Sequence, residues 1–200
     1  MSHPFNPFET RFWQPGQIDY HFPEPDITAE SLFEKIRRQR ICQIAGQHGS
    51  GKSALLQTLA RCCRNKKQAV RYVLLNERNR TLPGDLLPGE EPLVLFDGFE
   101  QLSFLRQCGF RFRFRNAFYV ITTHRQIAGI PVLYRTQPVF EIFYQLVAGL
   151  TRQKPDKNFL RQVFQNSGGN FRSAFFELYD RCPKDLYGQK DLQENELRLY

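Results

Sequence analysis

Gly46-Gln47-His48-Gly49-Ser50-Gly51-Lys52-Ser53 fits the pattern G-x-x-x-x-G-K-[ST], and the architecture follows from it. Each position has a physical task. The glycines reach backbone angles closed to other residues, so successive N–H groups can turn inward around an anion. Lys52 supplies a point charge for β- and γ-phosphates, and the Ser53 hydroxyl can ligate Mg²⁺. Ala54 continues into Leu55-Leu56-Gln57-Thr58-Leu59-Ala60, which reads as a helix with an apolar face. That helix aims its positive end at the same phosphates. Ile41-Cys42-Gln43-Ile44-Ala45, just before the loop, reads as a short buried strand. Strand, glycine-rich loop and helix make up a phosphate-binding P-loop. A plain glycine turn is the competing reading, and it leaves Lys52-Ser53 unexplained.

Further strands follow. Ala69–Leu75 reads as a second strand; Pro92–Asp97 and Ala117–Thr123 are apolar runs, and Pro131–Tyr134 is a shorter strand candidate. Continuous rather than alternating apolarity marks strands buried on both faces. Strands alternating with helices predict an α/β fold: a mostly parallel central sheet flanked by helices, with ligand at the carboxyl ends of the strands. Leu32, Phe33 and Ile36 fall at helical spacing after cap candidates in Asp26–Glu30, with Arg37, Arg38 and Arg40 toward the C-terminal end. From Asp156 onward the pattern is helical, broken at Ser167-Gly168-Gly169-Asn170. This predicts a small C-terminal helical lid. The expected division is an arm at 1–30, a nucleotide-binding core at 31–150, the lid at 151–183 and a tail at 184–200.

The arm mixes Pro4, Pro7, Pro15, Pro23 and Pro25 with Phe5, Phe8, Phe12, Trp13, Tyr20 and Phe22. Prolines oppose regular helix and the aromatics resist exposure to water. An extended arm on the core surface is expected. It either fills an apolar groove or covers a nucleotide base.

The 200 residues carry a net charge of +8, and Arg outnumbers Lys 20 to 8. The charge favours acidic partners: nucleotide, nucleic acid or an anionic surface. The Arg bias fits bidentate phosphate contacts and fits codon bias equally well. Cys42, Cys62, Cys63, Cys108 and Cys182 form no C-x-x-C pair, which predicts reduced thiols and no metal site built on them. Met1–Phe5 does not open a signal peptide, and the longest apolar stretch, Val139–Leu150, is interrupted by Glu141 and Gln145. A cytoplasmic protein without a membrane span is expected.

Asp97 ends its apolar run where a carboxylate would face a Mg²⁺ held by Ser53. The alternative is a helix cap. Glu100 follows in Asp97-Gly98-Phe99-Glu100, where the turn at Gly98 would let it reach an attacking water as general base. Thr122-Thr123-His124-Arg125 ends the next buried strand. Thr123 is assigned to water positioning and Arg125 to a charge contact; threonine as a plain strand residue is the competing reading. Phe110-Arg111-Phe112-Arg113-Phe114-Arg115 alternates strictly, and as an extended strand it would present three arginines on one side. That stripe suits nucleic-acid phosphates, a subunit interface or an ordinary solvated face.

The order of these motifs resembles that of AAA+ ATPases and their STAND relatives. Gly46–Ser53, Asp97-Gly98-Phe99-Glu100, Thr122-Thr123-His124-Arg125 and Gly168-Gly169-Asn170-Phe171-Arg172 carry the likeness, across residues 31–181. The resemblance implies Walker A and B motifs, a sensor 1 at Thr123 and a sensor 2 at Arg172 on the lid. It implies ATP with Mg²⁺ as ligands, a nucleotide-driven switch, a protein partner for the output and oligomers built with an arginine finger, for which Arg125 and Arg135 are candidates. Gly98 stands where many members carry Glu; the Asp-x-x-Glu spacing is nearer to STAND proteins. A small P-loop kinase, a non-hydrolysing ATP-binding module and a nucleic-acid-stimulated ATPase are the alternative functions.

Overall fold

The computed structural model describes residues 6–83, 92–114, 117–151 and 154–181. Met1–Phe5, Pro88-Gly89, Arg115, Cys182 and the 184–200 tail lie outside the described residues. The chain divides into two compact units, residues 18–137 and residues 1–17 with 138–200.

The larger unit is built on five strands: β1 (Ile41–Ala45), β2 (Val70–Leu74), β3 (Leu93–Asp97), β4 (Tyr119–Thr123) and β5 (Val132–Arg135). Their order is β2-β3-β4-β1-β5, and every pairing is parallel. The continuous apolar runs are explained by two cores, one on each sheet face. Leu93, Leu95 and Val120 enter the first, with Leu32, Phe33 and Ile36 of α2 (Ala29–Gln39) and Leu55, Leu56 and Leu59 of α3 (Lys52–Asn65). Val94, Phe96, Tyr119 and Ile121, the alternating residues of the same strands, enter the second with Phe99, Phe110 and Phe114. Period-two alternation thus sends successive apolar residues to opposite cores.

Local chemistry sets the helix starts. Thr28 caps α2: its Oγ1 accepts from Ser31 N–H at 3.1 Å while Ser31 Oγ accepts from Thr28 N–H at 3.1 Å. A reciprocal cap of this kind is worth about 1 kcal/mol. α3 starts from Gly51 at φ +91°.

The alternating Phe/Arg stretch is helical, not extended: α4 spans Phe104–Arg113. Residues four apart share a helix face. Phe110 therefore stacks on Phe114, with ring centroids 4.6 Å apart, and both are buried. Phe112 turns to solvent instead, 78% exposed. Phe110 also meets Phe96, Phe99 and Tyr119 edge-on. That aromatic socket holds the segment as a helix and removes the three-arginine strand.

The part of the arm from residue 18 onward packs on the larger unit. Tyr20 and Phe22 lie T-shaped to each other and to Tyr134. Tyr20 N–H donates to Thr58 Oγ1 at 2.9 Å, and Arg61 pairs with Asp19.

In the smaller unit, a one-turn helix α1 (Thr10–Trp13) joins α5 (Phe140–Thr151), α6 (Lys157–Asn166) and α7 (Phe171–Arg181). Phe8, Phe143, Leu160, Val163 and Phe175 form its core, and Trp13 stacks on Phe175. Gly168 and Gly169 take left-handed angles of +60° and +76°, and Asn170 Oδ1 then accepts from Ser173 N–H at the start of α7. The Gly-Gly-Asn stretch is thereby a tight turn with a helix cap.

Candidate functional site

The register of the parallel sheet brings three strand ends together. Ala45 of β1 lies opposite Thr123 of β4, and Phe96 of β3 lies opposite Ile121 of β4. Residues in register on parallel neighbours point to the same side, so Asp97 and Thr122 share one. The loop of residues 46–51 leaves from β1 at this edge.

The loop is held from behind by the residue that follows β5. Ser50 Oγ lies 2.6 Å from Thr136 Oγ1 and donates to Gln47 O at 2.7 Å. A Cβ added at Gly46 would meet Thr136 Oγ1 at 2.1 Å, so glycine there is a steric requirement. Gly49 and Gly51 hold φ of +68° and +91°. Lys52 is 7% exposed, and its Nζ donates to Gly46 O and Gln47 O at 2.7 Å each. The first N–H groups of α3, from Lys52, Ser53 and Ala54, have no intrahelical acceptor and face the loop's side of the helix end. A buried cation and a helix N-terminus thus meet at this loop, two of the parts from which an anion cradle is made.

Asp97 is the hub beside it. Its Oδ1 accepts from Ser53 Oγ at 3.1 Å and Thr122 Oγ1 at 3.0 Å, and its Oδ2 accepts from Tyr72 OH at 2.7 Å. Burial, with the Asp97 carboxylate next, holds the Tyr72 phenol far above its ordinary value, so it stays a donor. Thr122 also accepts from Gly98 N–H at 2.7 Å. Gly98, at φ +80°, has Leu75 O only 2.4 Å from where a Cβ would sit. A side chain directly after Asp97 is therefore sterically excluded, and the next carboxylate along the chain is Glu100.

That carboxylate, Glu100, sits in the short 3-10 turn Phe99–Gln101. Its Oε1 pairs with His124 Nε2 at 2.9 Å. Its Oε2 is buried without a hydrogen-bond partner. Burial, the dominant cause, raises the Glu100 pKa. Burial, followed by Lys52 and His48, lowers the His124 pKa to about 4. At neutral pH His124 is therefore an uncharged donor to Glu100. The His48 ring, from the loop, lies 3.5 Å from that of His124.

The structure thus brings together Gly46, Gln47, His48, Gly49, Ser50, Gly51, Lys52, Ser53, Ala54, Asp97 and Glu100. Thr123 is elsewhere: its hydroxyl donates to Gln43 Oε1 at 3.2 Å, in a buried clamp whose Gln43 side chain holds the backbone of Ile127 and Ile130. Arg172 is exposed on α7, in the other unit. Arg135 donates to Gln126 Oε1. Thr122, Tyr72 and Thr136 complete the site without any spacing signal. Only strand register, which a single sequence does not contain, separates Thr122 from Thr123.

Solved structures share this architecture. Domain III of the replication initiation protein DnaA of Thermotoga maritima aligns over 96% of each chain, with a TM-score of 0.56 and 13% identity. A single-residue variant of RuvB of Thermotoga maritima aligns over 78% of this chain, with a TM-score of 0.50 and 16% identity. What they share with this chain is the fold, a parallel five-stranded sheet flanked by helices. At such identities the likeness establishes fold alone, and the aligned region spans 61% of the RuvB chain. No family model and no curated protein matches the chain. Among the described residues, no helix is long and apolar enough to cross a membrane. No cluster of three or more His, Cys, Asp or Glu among them can hold a metal.

Proposed function

We propose that the chain binds ATP with Mg²⁺ in the loop of residues 46–54, hydrolyses it slowly and uses the nucleotide state as a switch for a partner protein. One observation carries this reading: Ser53, Asp97 and Thr122 are joined by hydrogen bonds next to the buried Lys52 and the N-terminus of α3.

A hydroxyl and one carboxylate, both hard oxygen donors, fit Mg²⁺, which keeps several waters and takes further ligands from phosphate. Ser53 and Asp97 would hold it, and when bound it would neutralise charge developing on the β- and γ-phosphates. Lys52 opposes the same charge. Glu100 would accept a proton from an attacking water once its buried Oε2 is opened to it, and its raised pKa brings a carboxylate closer to the range a general base needs. The polar contact at the end of β4 is proposed for Thr122 in preference to Thr123, because Thr122 is the hydroxyl on the Asp97 side. A sensor role for Arg172 rests on the motif resemblance alone.

Lys52→Ala should abolish ATP binding or turnover, measured as fluorescent-ATP affinity and phosphate release with Mg²⁺ or with EDTA. Affinity and release equal to wild type in that variant would defeat the proposal. The binding-only reading has its own support, since Glu100 Oε1 is already engaged by His124. ATP binding that depends on Lys52 without phosphate release would select it.

A further inference from the structure

α4 is apolar on the side that faces solvent. At about 100° per residue, Phe104, Cys108, Phe112, Leu105 and Gly109 fall on one continuous arc of the helix. Phe104, Leu105 and Phe112 are 76%, 80% and 78% exposed, and Cys108 is exposed as well. They leave on the order of 400 Å² of apolar surface in water, comparable to the largest patch of an ordinary monomer, where binding sites concentrate. A surface helix normally turns polar residues outward. Here the core-facing role is taken by Phe110 on the far side, and the outward arc is apolar too. Gly109 lies in that arc, with nothing within 4 Å of where its Cβ would be. Glycine weakens a helix relative to alanine, and no close approach within this unit requires it there.

Cations border the arc on both sides. Arg106 and Arg113 run along one edge and Arg111 along the other, and α4 has no acidic residue. Arg106 donates to Arg80 O at 2.7 Å and Arg111 to Ala128 O at 3.0 Å. Their guanidiniums are already oriented, and each retains further N–H donors. A depression of about 430 Å³ adjoins Cys108, Arg111 and Phe112, and one of about 340 Å³ adjoins Arg106, Gly109 and Arg113.

We propose that this face of α4 docks an acidic amphipathic helix of a partner protein. Its apolar side chains lie along Phe104, Leu105, Cys108 and Phe112, and its carboxylates meet the arginines on both edges. The charge pattern chooses this occupant. A second copy of the same face would bring guanidiniums against guanidiniums. A nucleic-acid strand would need cations along the track itself and rings close enough for successive bases. Phe104 and Phe112 are instead separated by about 12 Å along the axis, with a leucine and a cysteine between them. The docking rests on the switch reading only for the signal it would receive. Phe110, behind the face, packs on Phe99 with centroids 5.3 Å apart, next to Glu100.

The test uses the full chain and fluorescence anisotropy with three labelled probes. These are an amphipathic helical peptide of about five turns with Leu and Phe on one face and Glu flanking it, the same peptide with Lys for Glu, and a single strand of DNA of similar mass. The Glu peptide should bind at least about ten times more tightly than the Lys peptide, the factor expected when rim charges turn from attractive to repulsive. A Leu105→Asp/Phe112→Asp variant should lose at least about tenfold in affinity for it, and an Arg106→Glu/Arg113→Glu variant likewise. All these side chains are exposed, and near-UV circular dichroism with fluorescent-ATP binding checks that each variant is folded. Lys52→Ala should bind the Glu peptide as wild type does, so a failed ATPase reading is distinguishable from a failed docking face. Equal binding of both peptides, binding of DNA alone, self-association abolished by the Leu105/Phe112 variant, or no binding would each overturn the proposal.

Discussion

Helices α3 and α4 belong to the same unit, and each follows a strand end that carries part of the site. α3 follows β1 and the loop, bears Lys52 and Ser53 in its first turn, and buries seven residues. α4 follows β3 and the Glu100 turn, and buries only Phe110. The polar side chains at the start of α3 are satisfied: Lys52 by loop carbonyls, Ser53 by Asp97. The α4 branch carries a buried Glu100 Oε2 without a hydrogen bond and three exposed apolar side chains. One helix is thus packed under the loop of residues 46–51 along seven buried positions, and the other rests on one. Three fully buried leucines, each worth about 2 kcal/mol, fasten α3 under that loop. An aromatic socket fastens α4, with Arg106 and Arg111 on the carbonyls of Arg80 and Ala128.

Removing that socket should have the largest effect and would test the contrast most severely. Phe110→Ala should cost about 3–5 kcal/mol in chemical denaturation. Amide exchange should speed up across residues 104–113 well before residues 52–65. Uniform loss of protection in both helices would show that α4 has other anchors. Gly98→Ala comes next. The left-handed angle alone costs about 1–3 kcal/mol in a residue with a Cβ, and the approach of Leu75 O adds to it. The loss should appear as a lower denaturation midpoint with Glu100 displaced. A variant as stable as wild type would mean the turn can relax.

A pH series separates the two branches further. His124 has a pKa lowered to about 4, against 6.5 unfolded, so between these values the unfolded chain binds the extra proton. Its contribution is fully present above pH 6.5 and is lost as pH falls toward 4. Glu100, with a raised pKa, has the opposite sign. Stability from the His124 side should therefore fall between pH 6.5 and 4, with exchange rising first in residues 99–113, and His124→Gln should flatten that slope. An unchanged slope in the variant would remove His124 as the cause. The smallest effect is expected outside. Phe112→Ser should change stability by no more than about 0.5 kcal/mol, since most of the ring is already in water. A loss above about 1 kcal/mol, the centre of the range for ordinary point substitutions, would show that Phe112 belongs to the core.

Much of this was legible in the chain alone. The P-loop has a fixed spacing because its backbone, lysine and hydroxyl act on one polyphosphate, so local order in sequence is local order in space. The strands were legible because burial on both faces demands unbroken apolar runs such as Leu93–Phe96. The alternation of Phe110–Arg115 misled because period two is a strand signal only when both neighbours are strands. Packing four residues apart, Phe110 on Phe114, settled the segment as helix.

Neighbours along the chain were enough for a parallel α/β sheet, a glycine-rich loop at its carboxyl edge and an acid at the end of β3, because each of these is built from consecutive residues. They were not enough for the rest. That Thr122 rather than Thr123 meets Asp97, that Tyr72 and Thr136 join the site, that His124 holds Glu100, and that α4 shows its apolar side to water all emerge only on folding. They depend on strand register and on which face a helix turns inward, and both are set by contacts between residues far apart in the chain.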